Sequence, residues 1–127
     1  MELVFLVILV ALLEYIVLTA LVGRARGKYG VKAPAMTGHP DFERANRVHQ
    51  NTLESLIVFI PAVWILGLYG SPRYAAALGA VFVIARALYA AGYYRAADQR
   101  AIGALLTALV NVVLVLWALV AVLRAVL

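Results

Sequence analysis

The sequence predicts an all-α integral membrane protein in which four transmembrane helices form one bundle. Of its 127 residues, 66% are hydrophobic and only 13% are charged, and the mean hydropathy is +0.98. These values lie outside the range of soluble globular domains. Four apolar stretches are each long enough to cross a hydrocarbon core of about 30 Å, which takes roughly 20 helical residues. Because lipid cannot satisfy backbone polar groups, helices are the expected spanning structure.

The first two spans are defined by where their apolar runs begin and end. The first covers about residues 3–22. Its leading Glu2, its length and the interrupting Glu14 distinguish it from a cleavable signal peptide. The second covers about residues 46–68 and follows the polar segment GRARGKYGVKAPAMTGHPDFER. Both are therefore expected to be retained as transmembrane helices.

The last two spans are bounded by short polar segments. YGSPR precedes the third span, at about residues 74–94, and RAADQR precedes the fourth, at about residues 101–123. The chain is too short for more than one compact unit. We therefore treat residues 1–127 as a single membrane domain.

The distribution of charge and the lack of cysteine exclude several classes of function. The net charge is +5, but the basic residues are concentrated in the first and third loops, as expected of loops that face the cytoplasm. This placement favours a topological role over nucleic-acid binding and puts both termini on the opposite side. A surplus of cations in the first loop indicates an anionic partner. With no cysteine, any thiol chemistry must use a thiol carried by the substrate.

Each predicted helix carries a polar residue at a similar depth, namely Glu14, Glu54, Arg86 and Asn111. Each lies about 14–17 Å from the basic residue at the cytoplasmic end of its helix. A lone charge near the bilayer centre costs roughly 3 kcal/mol, so Glu54 is expected to pair with Arg86. Glu14, Arg86 and Asn111 form a predicted structural polar layer, which either locks the register of the helices or belongs to a site.

Two polar stripes run inward from the cytoplasmic end: Arg47, Asn51 and Glu54 on the second helix, and Arg86, Tyr89 and Tyr93 on the third. The first stripe falls within about 60° of the helix circumference, and the second has matching spacing. Arg100 extends the second stripe if that helix continues past Tyr94. Tyr89 lies a full turn too deep for an interfacial anchor, so its hydroxyl needs a partner. The stripes predict a tapering cleft that opens to the cytoplasm.

The residue types in this cleft favour a small zwitterion with excess negative charge. The guanidinium groups of Arg26, Arg47 and Arg100 suit carboxylates. Glu54 suits an ammonium group, and Asn51 suits a peptide amide. A second, apolar substrate would arrive from the bilayer. This combination is typical of a conjugation site at a membrane surface.

Two motifs resemble a known superfamily. FERANRVHQNTLE, residues 42–54, followed by ARALYAAGYYRAADQR, residues 85–100, is similar to the signature regions of the membrane-associated proteins in eicosanoid and glutathione metabolism (MAPEG). The resemblance covers the whole chain in helix order. It implies a homotrimer of four-helix subunits, with glutathione bound between neighbouring subunits at the cytoplasmic side. The short loops resemble bacterial members, which implies a bacterial inner membrane with both termini in the periplasm.

The resemblance also implies roles for individual residues. The positions that match glutathione contacts are Arg26, Arg47, Asn51, Glu54, Tyr89 and Tyr93. Arg100 matches the arginine associated with activating the glutathione thiol, and Tyr93 is placed to add a hydrogen bond to the sulfur. Ser55 replaces the tyrosine of the leukotriene-synthase branch, and His49 replaces its glutamine. These departures favour a general, transferase-like member.

The expected function is a glutathione S-transferase that conjugates glutathione, as co-substrate, to hydrophobic electrophiles through an arginine-stabilised thiolate. Lipid hydroperoxides are included among the electrophiles, which would add a peroxidase activity. No metal and no nucleic acid are expected. Two alternatives stay open: a non-catalytic lipid- or ligand-binding member of the same superfamily, and a small proton-coupled transporter that uses Glu14.

Overall fold

The structure, a computed structural model, describes all 127 residues and consists of four long α-helices and one short 3-10 helix. The α-helices are α1 (Glu2–Lys28), α2 (Pro40–Tyr69), α3 (Pro72–Arg95) and α4 (Ala101–Val126), and the 3-10 helix covers Ala97–Arg100. All four are long and apolar enough to cross a membrane. The predicted four-helix membrane bundle is therefore confirmed.

The second helix begins well before the apolar stretch, at Pro40. His39 caps it, because its Nδ1 accepts a hydrogen bond from the Asp41 backbone amide at 3.1 Å. Proline is favourable in the first helical turn, where its missing N–H costs nothing. The FERANR segment consequently lies on a helical extension, and its side chains are held in fixed register with those deeper in α2.

The core of the bundle is narrow and lies where α2 meets the other three helices. Phe59 of α2 stacks on Phe82 of α3 with ring centroids 3.9 Å apart, and both rings are fully buried with Leu66 and Leu114. Only 29 of the 127 residues are buried. Large apolar side chains therefore cover the outside of the bundle, which is the surface expected of an integral membrane protein.

Two glycines allow α3 to lie close to α4 and to the 3-10 helix near the site. A Cβ atom at Gly103 would meet the backbone of Tyr89, and one at Gly92 would meet the carbonyl oxygen of Gln99. Only glycine permits such contact between backbones. The close approach returns the chain past the end of α3 and places Arg100 beside the tyrosines of that helix.

Candidate functional site

A cavity of about 410 Å³ lies between α2, α3 and α4, at the end of the bundle that carries most of the basic residues. Its lining combines polar groups from three helices with a few small apolar side chains: Asn51, Glu54, Ser55, Val58, Arg86, Tyr89, Arg100, Ala104, Thr107, Ala108 and Asn111. A concave site with a few convergent polar groups is the usual form of a small-molecule site.

A hydrogen bond across the cavity joins α2 to α3. Asn51 Nδ2 donates to Tyr89 Oη at 2.6 Å. The Tyr89 ring is buried, and this bond supplies the partner that its hydroxyl was predicted to need. Tyr89 Oη accepts in this pair, so its own O–H remains free to donate, and Asn51 Oδ1 remains free to accept. The pair therefore offers one donor and one acceptor to a ligand.

Arg86 forms a second link between α2 and α3 beside this pair. It is buried, and its Nη2 donates to Thr52 Oγ1 at 2.6 Å, while Thr52 Oγ1 donates to the Val48 carbonyl oxygen at 2.7 Å. Its guanidinium carbon lies 4.0 Å from the centroid of the Tyr89 ring, a cation–π contact. Arg86 Nε is buried and has no hydrogen-bond partner.

The predicted ion pair between Glu54 and Arg86 does not form. Thr52, two residues before Glu54, lies on the buried face of α2 and receives the Arg86 guanidinium instead. Glu54 lies on the exposed face, at the rim of the cavity, and forms no salt bridge. Its carboxylate is therefore available to an incoming ligand.

Arg100 reaches the cavity from the 3-10 helix. The third helix ends at Arg95 and does not carry the polar stripe on to Arg100 as a continuous helix. Arg100 Nη1 donates to the Ala97 carbonyl oxygen at 2.6 Å, and its guanidinium carbon lies 5.4 Å from the centroid of the Tyr93 ring. Tyr93 in turn packs edge-on against Tyr89, with centroids 5.6 Å apart.

The deep end of the cavity is formed by α2 and α4. Asn111 Nδ2 donates to the Ser55 carbonyl oxygen at 3.3 Å. Asn111 Oδ1 is buried and has no partner. A buried acceptor without a donor is uncommon in proteins, and this one lies in the cavity wall, where a bound molecule or water can satisfy it.

Glu14 lies apart from this cavity, half-buried on α1. It attracts Arg86 electrostatically but forms no salt bridge with it. The four polar residues predicted at one level therefore do not form a single network. Arg86 and Asn111 line the cavity, whereas Glu14 faces a different part of the bundle.

Arg26 and Arg47 lie outside the cavity in the single chain. Arg26 Nη1 donates to the carbonyl oxygens of Val31 at 3.3 Å and Ala35 at 2.7 Å, which ties it to the α1–α2 loop. Arg47 is exposed and lines a separate pocket with loop residues Met36 and Thr37. It is four residues nearer the start of α2 than Asn51, about 6 Å along the helix. The cavity therefore contains only some of the residues that were predicted to line one cleft.

An apolar groove adjoins the polar cavity. It has a volume of about 380 Å³ and runs between α2 and α4. Val58 lines both the cavity and the groove, so the two spaces are neighbours. The groove faces outward and offers an apolar molecule a place beside the polar groups.

Sequence reasoning missed Thr52 and His49. Thr52 is the polar member of the buried stripe Val48, Thr52 and Leu56, and a hydroxyl in such a stripe was a signal that a buried donor needed an acceptor. His49 packs against α1. Its Nε2 lies 3.0 Å from Thr19 Oγ1, and its ring stacks on Tyr15 with centroids 4.6 Å apart.

Comparison with known proteins places the chain in context. The model of the MAPEG family matches residues 4–120. An uncharacterized protein of Synechocystis sp. is 50% identical over 113 residues, which cover 89% of this chain and 82% of the relative.

Two relatives whose names state an activity are also similar to this chain. Microsomal glutathione S-transferase 2 of Homo sapiens is 45% identical over 82 residues, which cover 65% of this chain and 56% of the relative. Leukotriene C4 synthase of Bos taurus is 38% identical over 76 residues, covering 60% of this chain and 51% of the relative. The matched segment therefore spans little more than half the length of these curated relatives.

Proposed function

This chain belongs to the MAPEG family, and on that premise we propose that it is a membrane glutathione S-transferase that acts on hydrophobic electrophiles. The observation that carries the proposal is the polar cavity, in which Asn51, Glu54, Tyr89 and Arg100 line one space. The adjoining apolar groove supports a second, apolar substrate. The similarity to human microsomal glutathione S-transferase 2 supports the choice of thiol.

Glutathione matches the groups that the cavity leaves unused. Its ammonium group suits the Glu54 carboxylate at the rim, and its peptide amides suit the free acceptor of Asn51 and the free donor of Tyr89. Its carboxylates suit Arg100 and the further arginines, Arg26 and Arg47. We place the thiol beside Arg100, because this position matches the arginine associated with thiol activation in the family.

The proposed chemistry begins with loss of the thiol proton to water. A free thiol has a pKa near 8.5 and is mostly protonated at neutral pH. The Arg100 guanidinium stays cationic and favours the anion, and a decrease of about two pKa units makes the thiolate the main form near pH 7. A hydrogen bond from Tyr93 Oη to the sulfur acts in the same direction.

The thiolate then attacks the electrophile held in the groove. With an aryl or alkyl halide, a carbon–sulfur bond forms as the carbon–halogen bond breaks and halide departs. With an enal, the sulfur adds to the β-carbon and the α-carbon takes a proton from water. A lipid hydroperoxide would be attacked at oxygen, and a second glutathione would complete its reduction to alcohol, water and glutathione disulfide.

A homotrimer is part of the proposal, because the single chain leaves the site incomplete. Arg26 and Arg47 lie outside the cavity. On α2, the apolar side chains of Leu53, which lines the same pocket as Arg47, and of Ile57, one turn further along, are 44% and 67% exposed. A neighbouring copy packed on this face of α2 would cover both side chains and close the cavity with basic residues.

We place the protein in a bacterial inner membrane, with both termini in the periplasm and the site facing the cytoplasm. The apolar helices support a membrane location. The basic residues at the cavity end of the bundle support the orientation. The similarity to the Synechocystis protein over 89% of the chain supports a bacterial membrane.

A conjugation assay tests this proposal. The purified full-length protein in detergent is mixed with glutathione and an apolar aryl halide, and the thioether product is measured by mass spectrometry. We expect the rate of product formation to saturate as the concentration of either substrate is raised. Saturable glutathione binding with no product above the uncatalysed rate would favour the non-catalytic binding protein. Absence of glutathione binding, together with proton-driven efflux from vesicles that Glu14→Gln abolishes, would favour the transporter.

A further inference from the structure

A second pocket, of about 310 Å³, lies between α1, α2 and α3 and shares no lining residue with the glutathione cavity. It is formed by the last turns of α1 and α3 and the first turns of α2. Its basic lining residues on α1 are Arg24 and Lys28, both beyond the predicted apolar span of that helix. The pocket therefore lies at the level of the lipid headgroups.

The charge of this pocket, which we call the cationic pocket, is unbalanced. Its charged lining residues are Arg24, Lys28, Arg44 and Asp41, so three cations face one anion. Arg44 is already engaged, because it donates to Asp41 Oδ1 at 2.7 Å and to the Arg95 carbonyl oxygen at 3.4 Å. None of the salt bridges in the structure involves Arg24 or Lys28. Two cations are thus left without a counterion in one concave space, and the only contact of Lys28 Nζ is with the Tyr29 ring, whose centroid lies 5.2 Å away.

A third group in the cationic pocket also lacks a partner. Tyr94 lines the pocket, and its hydroxyl is buried without a hydrogen-bond partner. A buried hydroxyl in a folded protein almost always has one. An anion bound between Arg24 and Lys28 can accept a hydrogen bond from the Tyr94 hydroxyl. Its charge would also balance the two cations.

Topology and helix dipoles alone do not account for this arrangement. Basic residues are common at the cytoplasmic ends of membrane helices and near helix C-termini. Such residues need neither a pocket nor an unpartnered hydroxyl, and a cation that caps a helix donates to its last carbonyl oxygens. Arg44 does so at the end of α3, whereas Arg24 and Lys28 make no such bond.

We propose that the cationic pocket binds a phosphate group, with Arg24 and Lys28 as the charged contacts and Tyr94 as the hydroxyl donor. Basic pockets between transmembrane helices on the cytoplasmic side bind the headgroups of anionic lipids. The position of the pocket favours the phosphodiester of an anionic phospholipid as the source. Free phosphate has the same chemistry and is the other source. The proposal does not depend on the glutathione site.

The test measures lipid binding to the purified full-length protein in detergent by native mass spectrometry. Phosphatidylglycerol and phosphatidylcholine with identical acyl chains are titrated in parallel, and inorganic phosphate is added as a competitor. The variants are the double substitution Arg24→Gln with Lys28→Gln, and Tyr94→Phe, which keeps the charges and the ring. Arg73→Gln, at the opposite end of the bundle, is the matched control.

The proposal expects one saturable phosphatidylglycerol site per chain that phosphatidylcholine does not fill. Each lost cation should weaken it about fivefold, and loss of the hydroxyl about threefold. Arg73→Gln should leave it unchanged. If inorganic phosphate displaces the lipid, the site is supported and free phosphate is its natural ligand. If the lipid stays bound, the phospholipid headgroup is the natural ligand. Equal binding of both lipids, or unchanged affinity in the double variant, would overturn the proposal. If the double variant fails to fold, unchanged affinity in Tyr94→Phe would overturn it.

Discussion

Asn51 and Tyr89 are joined by a 2.6 Å hydrogen bond that links α2 to α3 across the cavity. Each residue keeps one polar group free for a ligand, because the amide nitrogen donates and the phenol oxygen accepts. The Tyr89 ring also contacts the Arg86 guanidinium group. This relationship orients two proposed glutathione contacts before any ligand arrives, and the predictions below follow from it and from its surroundings.

Tyr89→Phe tests the contribution of the Tyr89 hydroxyl. The ring and its contact with Arg86 remain, but Asn51 Nδ2 loses its acceptor, so the melting temperature should fall modestly. Glutathione affinity should fall about twofold to tenfold, since a hydrogen bond contributes about 0.5–1.5 kcal/mol. Isothermal titration measures the affinity. Tyr74→Phe, at the other end of α3, is the matched control, and an equal effect of the two substitutions would count against a role for the Tyr89 hydroxyl.

Thr52→Val tests the support of Arg86. The new side chain has nearly the same shape but leaves Arg86 Nη2 without its acceptor, at a cost of about 1–3 kcal/mol. Thr107→Val is the matched control, because Thr107 is also buried and also donates to a backbone carbonyl oxygen at 2.7 Å. Thermal unfolding in detergent should show a clearly larger loss for Thr52→Val. Equal losses would show that the bond to Arg86 adds no stability.

Gly103→Ala tests the close approach of α3 and α4. The added methyl group would meet the Tyr89 backbone, so the helices must separate, at a cost of about 1–3 kcal/mol. Both the melting temperature and the glutathione affinity should fall. Gly23→Ala is the control, because a Cβ there meets nothing within 4 Å and alanine favours a helix. Unchanged affinity in Gly103→Ala would show that glutathione binding does not depend on the position of Tyr89.

Glu54→Gln tests whether the rim carboxylate binds the ligand. Glu54 is exposed and forms no salt bridge, so the substitution should leave stability unchanged. Glutathione affinity should fall about tenfold or more, because a charged hydrogen bond to the ammonium group is lost. Deaminated glutathione is the matched ligand, and its affinity should be the same in both proteins. If glutathione also binds both equally, Glu54 does not contact it.

The fold could be predicted from the sequence because a single constraint dominates it. Four apolar runs of sufficient length leave helices as the only way to satisfy the backbone in lipid. The helix ends could not be read from hydropathy, since α2 begins at Pro40 through the His39 cap, in a segment that is polar. Hydropathy indicates which residues lie in lipid, but a helix can extend beyond those residues into water.

Part of the site could also be predicted, because helical spacing places residues on one face. Asn51, Glu54 and Tyr89 line the same cavity, as their spacing on α2 and α3 indicated. Spacing on one helix does not reveal which side chain a neighbouring helix brings closest. Thr52 therefore takes the place that Glu54 was expected to occupy beside Arg86. Arg47 shares the face of Asn51 but reaches the loop instead.

The most direct test of the proposed function is the ultraviolet absorbance of glutathione thiolate during titration of the purified protein in detergent. Arg100→Ala is compared with Arg95→Ala, a nearby arginine that does not line the cavity. A cation near the sulfur lowers the thiol pKa, so its removal must raise that pKa and shift the signal to higher pH. We expect a saturable signal at neutral pH in the wild type and Arg95→Ala, and its loss in Arg100→Ala. The same neutral-pH signal in Arg100→Ala would contradict the proposed role of Arg100.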